Sequence, residues 1–196
     1  MQICLVLGSY SALSGAPDRL HYVRGAAAAL LDAGHSVHVL ADADTLDARF
    51  DLDPRASVHV LDPIGDVAAG YGHPAYAHAM VVRTALERLH AAQPLDAVEF
   101  STGRGEGYFT VRAKRSTGLL NGVVLAARAW ITDRAERASR LDERLVYETA
   151  ILDHAQLAVL READLVCSPT AALLESLTPA IERGSIWGVP VLHAVG

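Results

Sequence analysis

Lysine is nearly missing from this chain: of its 17 basic side chains, only Lys114 is not an arginine. Cysteine is almost as scarce, with Cys4 and Cys167 alone. Each lies in an apolar, strand-like run, where a small buried thiol is the ordinary outcome, so neither a disulfide framework nor an oxidising compartment is implied. No Cys-x-x-Cys pair, Walker A loop or G-x-S-x-G elbow occurs, which removes the motif-level grounds for a dithiol site, a P-loop nucleotidase or nucleophilic hydrolysis. No apolar run approaches the roughly 20 residues that span a bilayer. Met1 leads straight into Ile3-Cys4-Leu5-Val6-Leu7 with no basic leader or cleavage site, and the chain therefore reads as soluble and cytoplasmic. Aromatic residues make up 6% of it, and between residues 103 and 145 only Tyr108, Phe109 and Trp130 stand among the charges. Single-stranded nucleic acid, which needs stacking platforms along a basic groove, is not an expected partner.

What the chain does have is apolar mass in a regular alternation. Its 196 residues are 51% hydrophobic, enough for one domain with a sizeable core. Short apolar runs at Gln2–Leu7, Ser36–Ala41, Ser57–Leu61, Ala97–Phe100, Gly122–Ala126, Leu165–Ser168 and Val189–Leu192 predict strands buried on both faces. Helical stretches near Asp18–Ala33, Pro74–Ala92, Gly107–Leu120, Leu141–Glu162 and Pro169–Leu177 separate them. Such alternation means an α/β fold with parallel strands and right-handed crossovers. The link from the second strand to the third lacks a long helical pattern and reads as a loop with a short turn. Asp18 after Pro17 opens the first helix, Gly34 closes it, and Ser168-Pro169 supplies a cap followed by proline at the first helical position.

The net charge of -6 hides an uneven distribution. Residues 103–145 hold nine basic side chains, Arg104, Arg112, Lys114, Arg115, Arg128, Arg134, Arg137, Arg140 and Arg144, against five acidic ones. Two readings stand side by side: a solvated arginine-rich face, or a patch that meets an anionic surface or a phosphate-bearing ligand.

In an open parallel sheet the loops after the strand carboxyl ends converge on one crevice, which directs attention to residues 8–17, 101–107, 127–140 and 168–170. Gly103, Gly105 and Gly107 follow the fourth predicted strand. A dinucleotide fingerprint belongs in the first strand-helix turn, so these glycines argue against an oxidoreductase. Their missing side chains would admit a sugar or phosphate close to the backbone. Glu99 and Glu106 would repel a phosphate but accept hydrogen bonds from hydroxyls, which favours a polyol or sugar. For Glu99 a hydroxyl-binding role and a structural ion pair are both open. The first loop brings Gly15 to a helix N-terminus, where amides and dipole favour an anion; an ordinary glycine turn is the alternative. His35 with His38, and His73 with His78, lack a convincing ligand pattern. Neither a metal nor a cofactor is expected.

One stretch after another then falls into a familiar order: Ser14-Gly15-Ala16, Ala33-Gly34-His35-Ser36-Val37-His38-Val39-Leu40, Leu95-Asp96-Ala97-Val98-Glu99-Phe100, Gly105-Glu106-Gly107-Tyr108, Lys114-Arg115, and Arg161-Glu162-Ala163-Asp164-Leu165-Val166-Cys167-Ser168-Pro169-Thr170. Over essentially its whole length the chain resembles the N-terminal domain of a family 4, retaining glycosyltransferase of the GT-B fold. The resemblance implies a single Rossmann-like domain over residues 1–196, with a mainly parallel sheet of about seven strands and helices on both faces. It implies transfer of a sugar from an activated, nucleotide-sugar donor to a sugar or glycosylated acceptor. This domain would recognise the acceptor, while the donor nucleotide and a paired acidic motif belong to a C-terminal domain outside these residues. The isolated chain is accordingly expected to lack efficient activity.

The same resemblance places Gly15 against the donor diphosphate, with Ala16 where another glycine is common. The family often carries a histidine just after the fifth strand; Val123-Val124-Leu125-Ala126-Ala127-Arg128-Ala129-Trp130 has none. Arg128 is the nearest polar replacement, able to hold a charged group but not to act as a general base near neutral pH. The expected crevice residues are Gly15, Glu99, Ser101, Gly105, Arg128 and Ser168, with the loop from Arg134 to Arg140 either mobile or facing the acceptor. A noncatalytic glycan- or partner-binding module is the alternative from another class, and a nucleotide-dependent oxidoreductase is a weaker one.

Overall fold

The apolar runs form strands, and alternate side chains of those within the sheet enter one of two cores. Ser57–Val60, expected to be buried on both faces, is instead an edge strand with Val58 and Val60 exposed, because it has a neighbour on one side only. The computed structural model describes residues 1–7, 16–43, 51–65, 70–129, 147–182 and 191–193. Its elements are β1 (Gln2–Leu7), α1 (Ala16–Asp32), β2 (Ser36–Ala41), β3 (Ser57–Val60), α2 (Pro74–Ala92), β4 (Ala97–Ser101), α3 (Tyr108–Thr117), β5 (Val124–Arg128), α4 (Tyr147–Glu162), β6 (Leu165–Ser168), α5 (Ala171–Glu182) and β7 (Val191–His193). The strands form one seven-stranded sheet in the order β3-β2-β1-β4-β5-β6-β7. Every pairing in it is parallel. The direction of winding reverses between β1 and β4, which makes their carboxyl ends the topological switch point.

Ile3, Leu5 and Leu7 share one face of the sheet with Val37, Val39 and Ala41, and Val23 and Ala27 of α1 cover it. Cys4, Val6, Leu40, Val98, Phe100, Leu125 and Val166 point the other way into a larger core closed by α2, α3, α4 and α5. Burial pushes the Cys4 thiol up, so it behaves as a small apolar side chain. Among the described residues no helix is long and apolar enough to cross a membrane.

Several boundaries move from their expected places for local reasons. α1 has already begun at Ala16, ahead of Asp18. α3 stops at Thr117 because Gly118 is left-handed, and Leu120 and Gly122 also take positive φ. That turn absorbs Gly122 and Val123, so β5 starts at Val124. The cap of α5 is Thr170 rather than Ser168: Thr170 Oγ1 accepts from Leu173 N at 3.1 Å, and the helix then continues through Pro179. Residues 141–146 and 189–190, included in the expected fourth helix and last strand, lie outside the described residues.

At the edge of the sheet, His38 Nδ1 lies 3.0 Å from His59 Nε2, and His38 Nε2 lies 3.0 Å from Gln2 Oε1. With the Gln2 oxygen accepting from His38 Nε2–H, the Nδ1 of His38 must accept from His59 Nε2–H, so the chain is complete only while His38 is neutral. Burial, and for His38 also the neighbouring His59, holds both imidazoles below their ordinary 6.5. The folded state therefore binds fewer protons than the unfolded one, and this part of the stability is present above about pH 6.5 and lost as the pH falls below it. Thermal melts at about pH 7.5 and 5.5 check this: His59→Gln should show a smaller acid loss of Tm than the parent, and an equal loss contradicts it.

Candidate functional site

Glu99 is the third residue of β4, and alternation turns its side chain, with Ala97 and Ser101, toward the α1 face. Parallel pairing sets Ser101 beside Arg128 at the end of β5. The arginine folds back along the sheet, donating from Nε to Glu99 Oε1 at 2.9 Å and from Nη2 to Oε2 at 3.2 Å. Tyr22 of α1 completes the group. Its hydroxyl donates to Glu99 Oε2 at 3.0 Å and accepts from Arg128 Nη2, and its ring centre lies 3.3 Å from the guanidinium carbon.

The side chains of Arg128 and Glu99 are only 13% and 19% exposed. Burial raises the Glu99 carboxyl to about 7 and lowers the Arg128 guanidinium to about 10. Arg128 thus stays cationic near neutral pH, and Glu99 pairs with it fully only above about 7. Cys167, the register partner of Arg128 on β6, is half-buried; burial and Glu99 raise its thiol while Arg128 opposes them. Of the two roles left for Glu99 by the sequence, the geometry shows the ion pair, with both carboxylate oxygens engaged.

The glycine loop has a different purpose from the expected one. A Cβ on Gly105, whose φ is +69°, would stand 2.6 Å from Ala155 Cβ of α4, and one on Gly107 would stand 2.9 Å from the Phe100 ring. Gln156 Nε2 donates to Gly103 O at 2.7 Å, and Ser101 Oγ accepts from Gly103 N at 3.3 Å. The missing side chains of Gly105 and Gly107 admit α4 and the Phe100 ring, so their reading as access for a ligand is corrected to close internal packing. Glu106 is fully buried in this loop; its Oε2 accepts from Arg104 N at 3.2 Å. Glu106 Oε1, Thr110 Oγ1, Asp42 Oδ2 and both ring nitrogens of His78 are buried without a hydrogen-bond partner.

The six expected crevice residues therefore separate. Glu99 and Arg128 meet, and Ser101 sits beside them in the sheet. Gly105 is clamped against α4 instead. Ser168 is buried, and its hydroxyl donates to Thr170 O at 2.8 Å in the turn before α5. Gly15 and the loop from Arg134 to Arg140 lie outside the described residues. In the basic stretch, Arg112 pairs with Glu162 at 3.3 Å, Lys114 with Asp164 at 2.5 Å, and Arg115 donates to Glu162 O at 3.1 Å. Tyr22 was not among the expected residues, and no spacing rule marks a helix tyrosine as the partner of a strand carboxylate 77 residues away.

No family model matches the chain, and no curated protein matches it in sequence. Solved structures do match it. Sucrose-phosphate synthase from Thermosynechococcus elongatus superposes with a TM-score of 0.64 at 16% identity, over 98% of this chain and 47% of that one. UGT2 of Phytolacca americana, solved with UDP-2-fluoro-glucose and pterostilbene, gives 0.59 at 15% identity, over 100% of this chain and 53% of that one. MnaA of S. aureus, solved with UDP, gives 0.54 at 14%, over 98% and 43%. The fold is that of a GT-B half-domain. The chain spans about half the length of the structures it matches.

Two variants test the geometry. Arg128→Met strands the Glu99 carboxylate and should cost roughly 3 kcal/mol in urea denaturation at about pH 8, less at about pH 6 where the carboxyl is protonated, and little when combined with Glu99→Leu. An equal cost at both pH values contradicts the pair. Gly105→Ala should cost about 2–4 kcal/mol from overlap and left-handed strain, and Ala155→Gly in the same chain should recover part of it; a neutral Gly105→Ala contradicts the clamp.

Proposed function

We propose that the chain is the acceptor-recognising, N-terminal half of a cytoplasmic, retaining family 4 glycosyltransferase whose nucleotide-sugar donor is held by a second domain. The observation that carries this reading is the match of the whole chain, as one Rossmann-like unit, to about half of proteins solved with UDP or a UDP-sugar. The order of the motifs from Ser14 to Thr170 supports the family within that fold. On this reading Arg128 is the cation nearest the crevice and Glu99 fixes its direction. Ser101 and Ser168 shape the carboxyl ends of β4 and β6, and Gly15 approaches the donor diphosphate.

Stabilising a departing diphosphate takes several preorganised donors aimed at it. Arg128 is already engaged by Glu99 and Tyr22, so the chain by itself is short of them. The same observation favours a second reading, a noncatalytic glycan-binding module in which the pair is purely structural.

Incubation of the 196-residue chain with UDP-glucose and a panel of glycoside acceptors should give no enzymatic transfer. The same acceptors with the product of the complete reading frame should give a glycoside of retained anomeric configuration, read by NMR. Efficient transfer by the chain alone, an inverted product, or tight binding of NAD overturns the proposal. Absence of transfer by every longer product supports the binding module instead.

A further inference from the structure

Three helices begin at the carboxyl edge of the sheet, and each places aromatic side chains in or beside its first turn. Tyr71 and the capping His73 precede Tyr76 on α2, Tyr108 and Phe109 open α3, and Tyr147 opens α4. Four of the chain's six tyrosines are in this group. The Tyr76 and Tyr108 rings stack with centroids 5.0 Å apart, Phe109 stands edge-on to Tyr108 at 5.0 Å and to Tyr71 at 5.5 Å, and His154 of α4 lies 5.7 Å from Tyr108. Tyr147 lies seven residues before His154 on α4, on the same face of that helix.

The inner members close the core: Tyr108 is 7% exposed, and Tyr76 and Phe109 pack against the larger cluster. Tyr147 does not, since it remains 71% exposed on the first residue of its helix. The rim therefore grades from a fixed aromatic floor to an exposed ring, at the edge where ligands of open α/β sheets bind.

Its chemistry selects among ligands. Arg112 lies over the Tyr108 ring at 4.6 Å and is paired with Glu162, so the guanidinium of the rim is already neutralised, which disfavours a phosphate backbone. The exposed apolar surface is tyrosine rather than aliphatic, offering a flat face and a hydroxyl on the same side chain. A neutral ring with an apolar CH face and a hydroxyl edge matches both.

We infer that this aromatic rim, with Tyr147 as its exposed face and Tyr76 and Tyr108 as its floor, is a subsite for a neutral pyranose ring of the acceptor. The inference deepens the acceptor-half reading and rests on it for the identity of the ligand as acceptor. Tyr147 supplies stacking area, and the exposed His154, whose Nε2 faces the Tyr108 hydroxyl at 3.4 Å, meets a sugar hydroxyl.

The test is saturation-transfer NMR and titration of the full chain with maltotriose, chitotriose and octyl β-glucoside. At least one of them should receive saturation on its ring CH protons. Its binding should weaken about tenfold in Tyr147→Ala and change little in Tyr147→Phe, with Tyr76→Leu as a second weakening variant. No saturation of any sugar ring, saturation confined to the octyl chain, or equal binding by Tyr147→Ala overturns the subsite. The two readings also fail separately. A complete transferase whose acceptor KM ignores Tyr147→Ala sinks the subsite and leaves the transferase; sugar binding that depends on Tyr147, with no transfer by any longer product, keeps a sugar subsite and sinks the acceptor role.

Discussion

The close backbone approach at residues 103–107 is the constraint on which the carboxyl edge of this molecule depends. Two positions in it have no room for a Cβ: Gly105 meets α4 through Ala155, and Gly107 meets the Phe100 ring of β4. Gln156 ties the same loop to α4 by its bond to Gly103 O. A strand and the two helices that follow it are thereby locked together within one turn of chain. The start of α3 and the middle of α4 are set in place by this contact.

The other face of the sheet carries a polar group at comparable depth. Glu99, Arg128 and Tyr22 link β4, β5 and α1 through hydrogen bonds that engage both Glu99 oxygens and the Nε and Nη2 of Arg128. A pair buried to this extent gains little net stability over apolar residues of the same shape, but it is expensive to break by halves. It therefore serves direction better than strength, fixing where the last residue of β5 points. Arg128 is thereby oriented by a carboxylate whose own charge depends on pH.

The parallel sheet was legible in the sequence because buried strands are written as continuous apolar runs: Gln2–Leu7, Ser36–Ala41 and Leu165–Ser168 have the bounds their patterns suggest. Errors arose where backbone sign decides the outcome. Leu120 at positive φ is an apolar residue in a turn, which no hydrophobic pattern reveals. Thr170 rather than Ser168 caps α5 because the serine hydroxyl is spent on the carbonyl of Thr170. The site was less legible than the fold. Pairing of Glu99 with Arg128 follows from adjacent strands, whereas Tyr22 arrives through the rotation of a helix about its axis. The glycines were conspicuous, but a sequence cannot distinguish a glycine that admits a ligand from one that admits a neighbouring helix. Aromatics scattered from 71 to 109 became a single cluster with His154 only when the helices came together.

The central claim is that ligand chemistry in this half-domain gathers at the strand carboxyl edge, over the first turns of α2, α3 and α4. Amide hydrogen exchange of the chain with and without a saturating oligosaccharide tests it most directly, because exchange maps contact without altering a side chain. The account predicts added protection in residues 71–76, 107–112 and 147–154. Protection confined to the amino ends of the strands, or spread evenly over the sheet, would contradict it.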